Sequence, residues 1–469
     1  MSSQNVHPSK YSRLRSFYKY YIDIFNTLYQ LKKEKEEELN SIYKNIKLKL
    51  IDSNKYPPQD MIRDILDIIP YNNRYAKSYL SLAKFISDEY HVKEVNCVIK
   101  ISNFLFYIEY GINLAKDDDF ENDDFNNLEI HTDDTIYKAI MNNDLIKFIF
   151  FIETKGFDET QELESSLYPY YYKGYSLLEL CCYHGAVDCF KLLRTKFGSK
   201  ITKKCLALSF LGGNQEIMNE CLKYKKPNKE CMKYAIISHN IDFITFLMYE
   251  HKIDIDLRYS GTYNNLESFL VCFDQTNEIG EYLVYSLMFK TPSLVEYFLS
   301  HGANINEIIF DGSTALHFAA QSHSKETTEV LVSHGVNINR KTRYGITALH
   351  IAAKYNSKEI AEVLVLHGAN INEKKFDGNN ALHIAAKHNS KETAEVLILH
   401  GANINEKNED GNTALHIAAI HDSKETAEVL VSHGANINEK TNAGETALYL
   451  AKYFNCIRTE NFLKSRGAK

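Results

Sequence analysis

The sequence predicts an all-α protein: a solenoid of stacked helix pairs with short β-turn fingers, preceded by degenerate helix pairs and an N-terminal helical region. Three observations carry this expectation. Two unrelated strings share one period: "ALH" begins at Ala315, Ala348, Ala381 and Ala414, with "ALY" at Ala447, and "HGANIN" or a near copy begins at His301, His334, His367, His400 and His433, each step being 33 residues. Upstream, looser blocks with the same helical content recur at a shorter spacing. Proline is scarce, at 7 in 469 residues, as a helix-rich chain requires.

A chain of 469 residues exceeds one ordinary core. Its pattern divides it into a helical region over 1–135, degenerate pairs over 136–273 and the repeat array over 274–469. Trp is absent, so 32 Tyr and 25 Phe must supply the aromatic packing. A net charge of −7 argues against a nucleic-acid partner, which usually meets a basic face. Nine cysteines without a CxxC pair fit buried free thiols in a reducing compartment. The N-terminus (MSSQNVHPSKYSRLRSF) is polar, and "LIKFIFFI" over 145–152 falls far short of the roughly 18 apolar residues of a membrane span. A cytoplasmic protein without membrane insertion is the expectation.

One repeat, residues 377–405, reads "DGNNALHIAAKHNSKETAEVLILHGANIN". Asp377-Gly378 signals a turn. Thr314, Thr347, Thr413 and Thr446, with Asn380 as the exception, stand at the N-cap of the first helix. That helix should turn Leu382, Ile384, Ala385 and Ala386 inward, the small Ala pair letting a neighbour approach. A second helix opens at Ser390, keeps Glu392 in its first turn, and is expected to bury Ala394, Val396, Leu397 and Leu399. Gly401 is its left-handed stop. Between the helices stand His323, Asn356, Asn389 and Asp422, types that tolerate the left-handed region better than most.

This pattern resembles the ankyrin family over residues 307–469. The family's Thr-Pro-Leu-His appears with Ala in place of Pro (Ala315, Ala348, Ala381, Ala414), and its Gly-Ala-Asp-Val-Asn appears as Gly-Ala-Asn-Ile-Asn. The resemblance implies that His317, His350, His383 and His416 tie finger to helix by hydrogen bonds, and that fingers and first helices line a concave face that holds partner proteins. The last unit departs from its siblings: Lys452 replaces the second Ala, and Arg458, Asn461, Lys464 and Arg466 give its outer helix the polar face of a cap.

Residues 274–306 read as a first pair without a clear finger, with Thr291-Pro292 as N-cap and first helical position. Over 136–273, blocks beginning at Leu177, Cys205 and Cys231 carry turns at Gly185, Gly213 and His239, spaced 28 and 26, as in helix pairs whose finger has been trimmed. Residues 10–115 carry no repeat. Phe17, Tyr21, Ile24, Leu28 and Leu31 form a heptad-like seam on a helix expected to continue through "KKEKEEE". Further helices are expected around 61–69, 75–90 and 92–110. The string "YNNRYAKSYLSLAKFISDEY" followed by "LLELCCYHG" resembles the leader of large protist ankyrin-repeat families, a domain of unknown function. The acidic stretch 116–134 reads as a boundary loop.

The chemistry-bearing residue types point to structure. Nine of the 18 histidines belong to the two repeating series, and a repeat copies a structural role; the series from His301 to His433 falls at helix C-termini, where a donor meets free carbonyls. A spread-out ladder does not converge on a metal. The acidic stretch lacks the glycine and ligand spacing of a calcium loop. No phosphate loop, HExxH, GxSxG or kinase set occurs. No enzyme activity, catalytic residue, metal or cofactor is expected.

The repeats differ from one another at the finger tips and at the exposed end of the first helix. Candidate protein-binding residues are Phe310 and Asp311, then Arg343, Tyr344 and Ile346, then Lys375, Phe376 and Asp377, then Glu409 and Asp410, with Tyr355, His388 and His421 at the helix ends. Exposed aromatics beside Arg are the side chains that dominate interfaces. Residues 307–438 hold twelve basic and sixteen acidic residues, a further argument against nucleic acid. The expected function is a non-catalytic scaffold that binds another protein on this face. The alternative is an adaptor whose array selects a substrate while the N-terminal helices recruit an enzyme such as a ubiquitin ligase. Pairing of the Phe17–Leu31 seam between two copies would make a homodimer, although packing within the chain is its more common use.

Overall fold

The computed structural model describes residues 9–469 apart from 54, 96, 116–119, 121–124, 126, 127, 129–131, 133, 170–173, 277, 278 and 310. The acidic stretch therefore lies largely outside the described residues. The chain forms two compact units, Met1–Asn277 and Glu278–Lys469. Both are all-α. Among the described residues, the one sheet is two short antiparallel strands, β1 (Glu162–Leu163) and β2 (Tyr175–Ser176), and no helix is long and apolar enough to cross a membrane.

The first unit opens with α1 (Lys10–Phe17), α2 (Lys19–Tyr29), α3 (Glu36–Ile46), α4 (Pro58–Leu66), α5 (Ala76–Glu89) and α6 (Lys100–Tyr110). Five helix pairs follow: α7 (Ile136–Asn142) with α8 (Leu145–Glu153), α9 (Leu177–His184) with α10 (Val187–Lys196), α11 (Lys203–Gly212) with α12 (Gln215–Leu222), α13 (Lys229–Ile237) with α14 (Ile241–His251), and α15 (Leu257–Thr262) with α16 (Leu266–Asp274). First helices stack on first helices and second on second. Each pair turns over a residue with positive φ: Asn143, Gly185, Gly213, His239 and Asn264.

The N-terminal helices lie on the turns of their own unit's pairs. Tyr21 Oη donates to Asn264 Oδ1 at 2.8 Å, and Gln30 Nε2 donates to the His239 carbonyl at 2.8 Å. His239 stacks on Tyr29 with ring centres 4.1 Å apart, while its Nδ1 meets Asn26 Oδ1 and its Nε2 the Tyr263 carbonyl. Glu267, itself buried, gathers Tyr11 Oη, Arg15 Nε and Asn26 Nδ2. A buried carboxylate is tolerable only with such a set of donors.

Two expectations for this region fail. The seam does not lie on one helix that runs through the charged stretch: α1 ends at Phe17, and α2 stops at Tyr29, before Leu31. The carbonyls that its continuation would need are taken: Tyr79 Oη bonds the carbonyl of Leu28, Asn72 Nδ2 that of Leu31, and Ser78 Oγ that of Lys33. Tyr21, Ile24, Leu28 and Leu31 are buried within the unit, and Phe17 alone of the seam is exposed. The helix expected over 92–110 begins at Lys100; before it, Val92 N–H bonds the Ser87 carbonyl and Val95 N–H that of Leu114.

The second unit holds α17 (Gly280–Ser286), continued by a 3-10 turn, with α18 (Pro292–Ser300), and then five further pairs. These are α19 (Ala315–Gln321) with α20 (Lys325–Ser333), α21 (Ala348–Lys354) with α22 (Lys358–Leu366), α23 (Ala381–Lys387) with α24 (Lys391–Leu399), α25 (Ala414–Ile420) with α26 (Lys424–Ser432), and α27 (Ala447–Tyr453) with α28 (Ile457–Ser465). The Ala pairs 319–320, 352–353, 385–386 and 418–419 are fully buried between first helices, and Leu331, Leu364, Leu397 and Leu430 fill the outer row. Leu399, expected inside, is 72% exposed, and Thr393 is buried instead. At 3.6 residues per turn, position 399 lies nearly opposite the 393, 394, 397 stripe.

The turn residues of this unit, His323, Asn356, Asn389 and Asp422, are all left-handed, with φ between 51° and 57°. Their side chains have a second duty. Asn356 Oδ1 accepts the amide of Thr393 at 3.1 Å, Asn389 Oδ1 that of Thr426 at 3.1 Å, and Asp422 Oδ1 that of Thr459 at 2.8 Å. Each caps the second helix of the next pair. Glycine would supply the conformation without the cap, so Asn389→Gly is expected to lower stability by about 1 kcal/mol. Asn389→Ala should lose about 1–2 kcal/mol more, through strain in the left-handed region. Urea unfolding of the full chain measures both; equal stability of Asn389→Gly and wild type would remove the cap from the account.

Candidate protein-interaction face

The fingers of the second unit are tight turns closed by backbone hydrogen bonds. Thr342 N–H bonds the Ile346 carbonyl at 2.9 Å and Gly345 N–H the Thr342 carbonyl at 3.0 Å; Lys375 with Asn379, Asn408 with Asn412 and Thr441 with Glu445 repeat the pattern. Gly345 and Gly378 are required twice over. Their φ values are +75° and +76°, and a Cβ on Gly378 would stand 2.6 Å from the Glu409 nitrogen. The fingers therefore pack backbone against backbone, and Arg343 N–H bonds the Asp311 carbonyl at 3.0 Å while Asn442 N–H bonds that of Asp410 at 3.2 Å.

Each finger is tied to the preceding first helix by histidine. His317, His350 and His416 accept the backbone N–H of Thr314, Thr347 and Thr413 on Nδ1, completing a capping box in which His stands where Glu or Gln is usual. The proton is thereby on Nε2, which donates to the Ile346, Asn379 and Glu439 carbonyls at 3.1, 3.3 and 3.0 Å. His383 Nε2 meets the Asn412 carbonyl at 3.0 Å, but its Nδ1 stands 2.7 Å from Asn380 Oδ1, and Asn380 Nδ2 is buried without a partner. Burial lowers the pKa of all four histidines, that of His350 to about 4. The other series does what its position suggests: Nδ1 of His301, His334, His367, His400 and His433 bonds the carbonyl four residues earlier, at 2.7–2.9 Å. Among the described residues, no three or more His, Cys, Asp or Glu side chains form a metal-holding group.

A family model described as ankyrin repeats (3 copies) matches residues 283–375 and again 382–469. These are ankyrin repeats. A domain of unknown function (DUF3447) matches residues 197–272, the stretch that holds α11 to α15 and most of α16. None of the curated proteins matches the chain.

Along the ankyrin array, Arg343, Tyr344, Phe376, Asp377, Glu409 and Asp410 are exposed at finger tips, with Tyr344 at 65% and Phe376 at 72%. Lys375 is half-buried and pairs with Asp377. Asp311 and Asp377 each accept an amide of their own turn, from Ser313 and Asn379; against the cost of burial, Ser313 holds the Asp311 carboxyl below its usual pKa, and Lys375 and then Asn379 do so for Asp377. Ile346 is half-buried and serves the frame through its carbonyl. Phe310 lies outside the described residues. At the helix ends, His388 and His421 are exposed, and Tyr355 is half-buried, edge-on to His323 with Lys354 Nζ 4.9 Å from its ring. Burial and Lys387 hold His421 below its usual pKa.

Two groups were not among the candidates. Leu366 and Leu399 stand about 70% exposed where the sibling repeats carry Ser333 and Ser432, a difference that aligning the copies reveals. Tyr449, Tyr453 and Phe454 are at least half exposed on the last pair, Tyr449 replacing the motif histidine and Phe454 continuing the row of Tyr355, His388 and His421.

Replacing Asn380 with the siblings' Thr removes a buried unpaired amide, so Asn380→Thr should stabilise the array by about 1 kcal/mol in urea unfolding. Acid should act in the opposite direction. The folded array keeps His350 neutral down to about pH 4, whereas an unfolded His titrates at 6.5, so the unfolded state binds more protons between those values. Stability is complete above 6.5 and falls as pH drops toward 4. Protection factors of residues 340–420, taken relative to the intrinsic exchange rate at each pH, should fall across that window, and less so in His350→Gln; unchanged protection would count against the neutral ladder.

Proposed function

We propose that the protein is a non-catalytic interaction scaffold whose ankyrin array holds a partner protein across its finger tips and the exposed ends of its first helices. One observation carries the reading: Tyr344 and Phe376 stand two-thirds exposed on adjacent fingers, each closed by its own backbone hydrogen bonds and packed backbone against backbone at Gly345. Aromatic rings on a fixed backbone lose little conformational entropy on docking, which is the main cost that a loop-borne surface incurs. A standard interface takes about 800 Å2 from each partner, a scale suited to several adjacent fingers. Charge along the tips changes from Arg343, through the paired Lys375 and Asp377, to Glu409 and Asp410, so the favoured partner carries acid opposite Arg343 and base opposite the last. For the adaptor alternative, the apolar face of α2 is not available as a recruiting surface, since it turns toward its own unit's helix pairs.

The test is quantitative affinity capture from cell lysate with wild type and an Arg343→Ala, Tyr344→Ala, Phe376→Ala triple variant. Circular dichroism and melting must match wild type for the comparison to count, and a Tyr344→Ala, Phe376→Ala double variant serves where the triple variant melts lower. Proteins recovered by wild type should fall about tenfold or more with the variant, as loss of a hot-spot cluster implies. Equal recovery by both forms would move the binding face off the fingers.

A further inference from the structure

A cavity of about 640 Å3 lies within the first unit, between the segment that leaves α2 and the turn ends of three helix pairs. One wall is Tyr29 to Lys32 with Tyr71, Arg74 and Tyr75; the other is formed by residues 183–185, 211–214 and 237–243 in part. No Asp or Glu lines it, in a chain of net charge −7, whereas Lys32 and Arg74 do. Arg74 is half-buried and has no hydrogen-bond or ion-pair partner among the described residues. An arginine held this way without a carboxylate is set to meet an anion brought from outside.

Two glycine turns border the cavity. At the other turns of the unit the left-handed residue carries a side chain that reaches a neighbour: Asn143 caps α10, His239 meets Asn26, and Asn264 accepts Tyr21 Oη. Gly185 and Gly213 have no side chain to extend. Gly185 is required by packing, since a Cβ there would stand 2.7 Å from the Gly212 carbonyl oxygen, whereas a Cβ on Gly213 would meet no atom within 4 Å. Conformation alone does not demand glycine at 213, since Asn143 and Asn264 adopt similar φ. The row of turns is thus covered by α2 at 239 and 264 and left bare at 213.

We infer that this bare stretch binds an acidic peptide segment of a partner protein, continuing the line on which α2 already lies. The neighbouring turns already seat polypeptide. Gln30, Asn72, Asn214 and Asn240 place side-chain amides along the walls, while Tyr75 and Phe243 give apolar contact. The volume greatly exceeds that of a single phosphate. The carboxylates of the segment engage Arg74 and Lys32.

The test is a display selection of 12-residue peptides on the immobilised full chain, followed by fluorescence anisotropy of a selected, labelled peptide. Asp- and Glu-rich peptides should emerge, and Arg74→Glu should weaken them by about tenfold to a hundredfold, the worth of a charge-assisted hydrogen bond. Gly213→Asn, which keeps the backbone as Asn264 does, should weaken them comparably by filling the cavity; this variant decides the matter if Arg74→Glu fails to fold. Selection without acidic enrichment overturns the inference, as does binding that both variants leave intact. So does binding lost only with the Arg343, Tyr344, Phe376 variant, which would assign the peptides to the array, or binding of inorganic phosphate without binding of peptide.

Discussion

Each helix pair of the array is left with polar groups that it cannot satisfy by itself, and the hydrogen bonds supplied by the next pair hold the fold together. His317 needs the carbonyl of Ile346 for its Nε2 proton, and the amide of Thr393 needs Asn356. Neither bond exists in an isolated repeat. Buried polar groups without partners cost more than made hydrogen bonds gain, so each pair is destabilised by the absence of its neighbour. That is the local origin of the near-neighbour cooperativity expected of repeat proteins. The surface ladder of Lys341 with Glu373, Lys374 with Glu406 and Lys407 with Glu439 repeats the same spacing, but exposed pairs of this kind contribute little.

The sequence made the array legible because a copied motif samples one structural role several times. Caps, left-handed turns and the two histidine series all follow from residue type at a fixed offset, and the geometry agrees with them. The inter-pair cap was not legible. Asn356 and Asn389 suit a left-handed turn on any reading, and nothing local shows that their amide oxygens serve a helix 37 residues ahead. The end of α2 was hidden in the same way, because the side chains that take its carbonyls come from Asn72, Ser78 and Tyr79. Leu399 misled because an apolar residue at a helix end counts toward the stripe only if its angle fits. At the candidate face, residue type and variation singled out Tyr344 and Phe376, which are exposed, but could not separate them from Asp311 and Ile346, which help to hold the turns.

The two units use the same backbone device for different ends. In the array the left-handed residue caps the next pair. In the first unit, Asn143 does likewise, while His239 and Asn264 hold N-terminal helices and Gly185 and Gly213 hold nothing. A conformation fixed by the turn thus leaves the side chain as a variable, and what it reaches decides what the row of turns can seat. Drift in such a position changes contacts without changing the fold, since the φ requirement is met by Asn, Asp, His or Gly alike.

The same separation of frame from side chain explains why differences among the repeats gather at the tips. Most hydrogen bonds that close or stack a finger among the described residues are made by backbone atoms or by residues such as Thr342, Asn408 and Thr441 at its base, with the tip side chain of Asn442 adding one to the Glu409 carbonyl. Asp311 and Asp377 are intermediate, each spending a carboxylate on its own turn. The side chains of Tyr344, Phe376, Glu409 and Asp410 make no hydrogen bond or ion pair among the described residues. Stability therefore constrains them weakly, and since single exposed apolar side chains are ordinary, it is the adjacency of two aromatic tips that bears on the proposed face. Two aromatic tips on adjacent fingers, against polar tips on the next, are better accounted for by a partner's surface than by the needs of the fold.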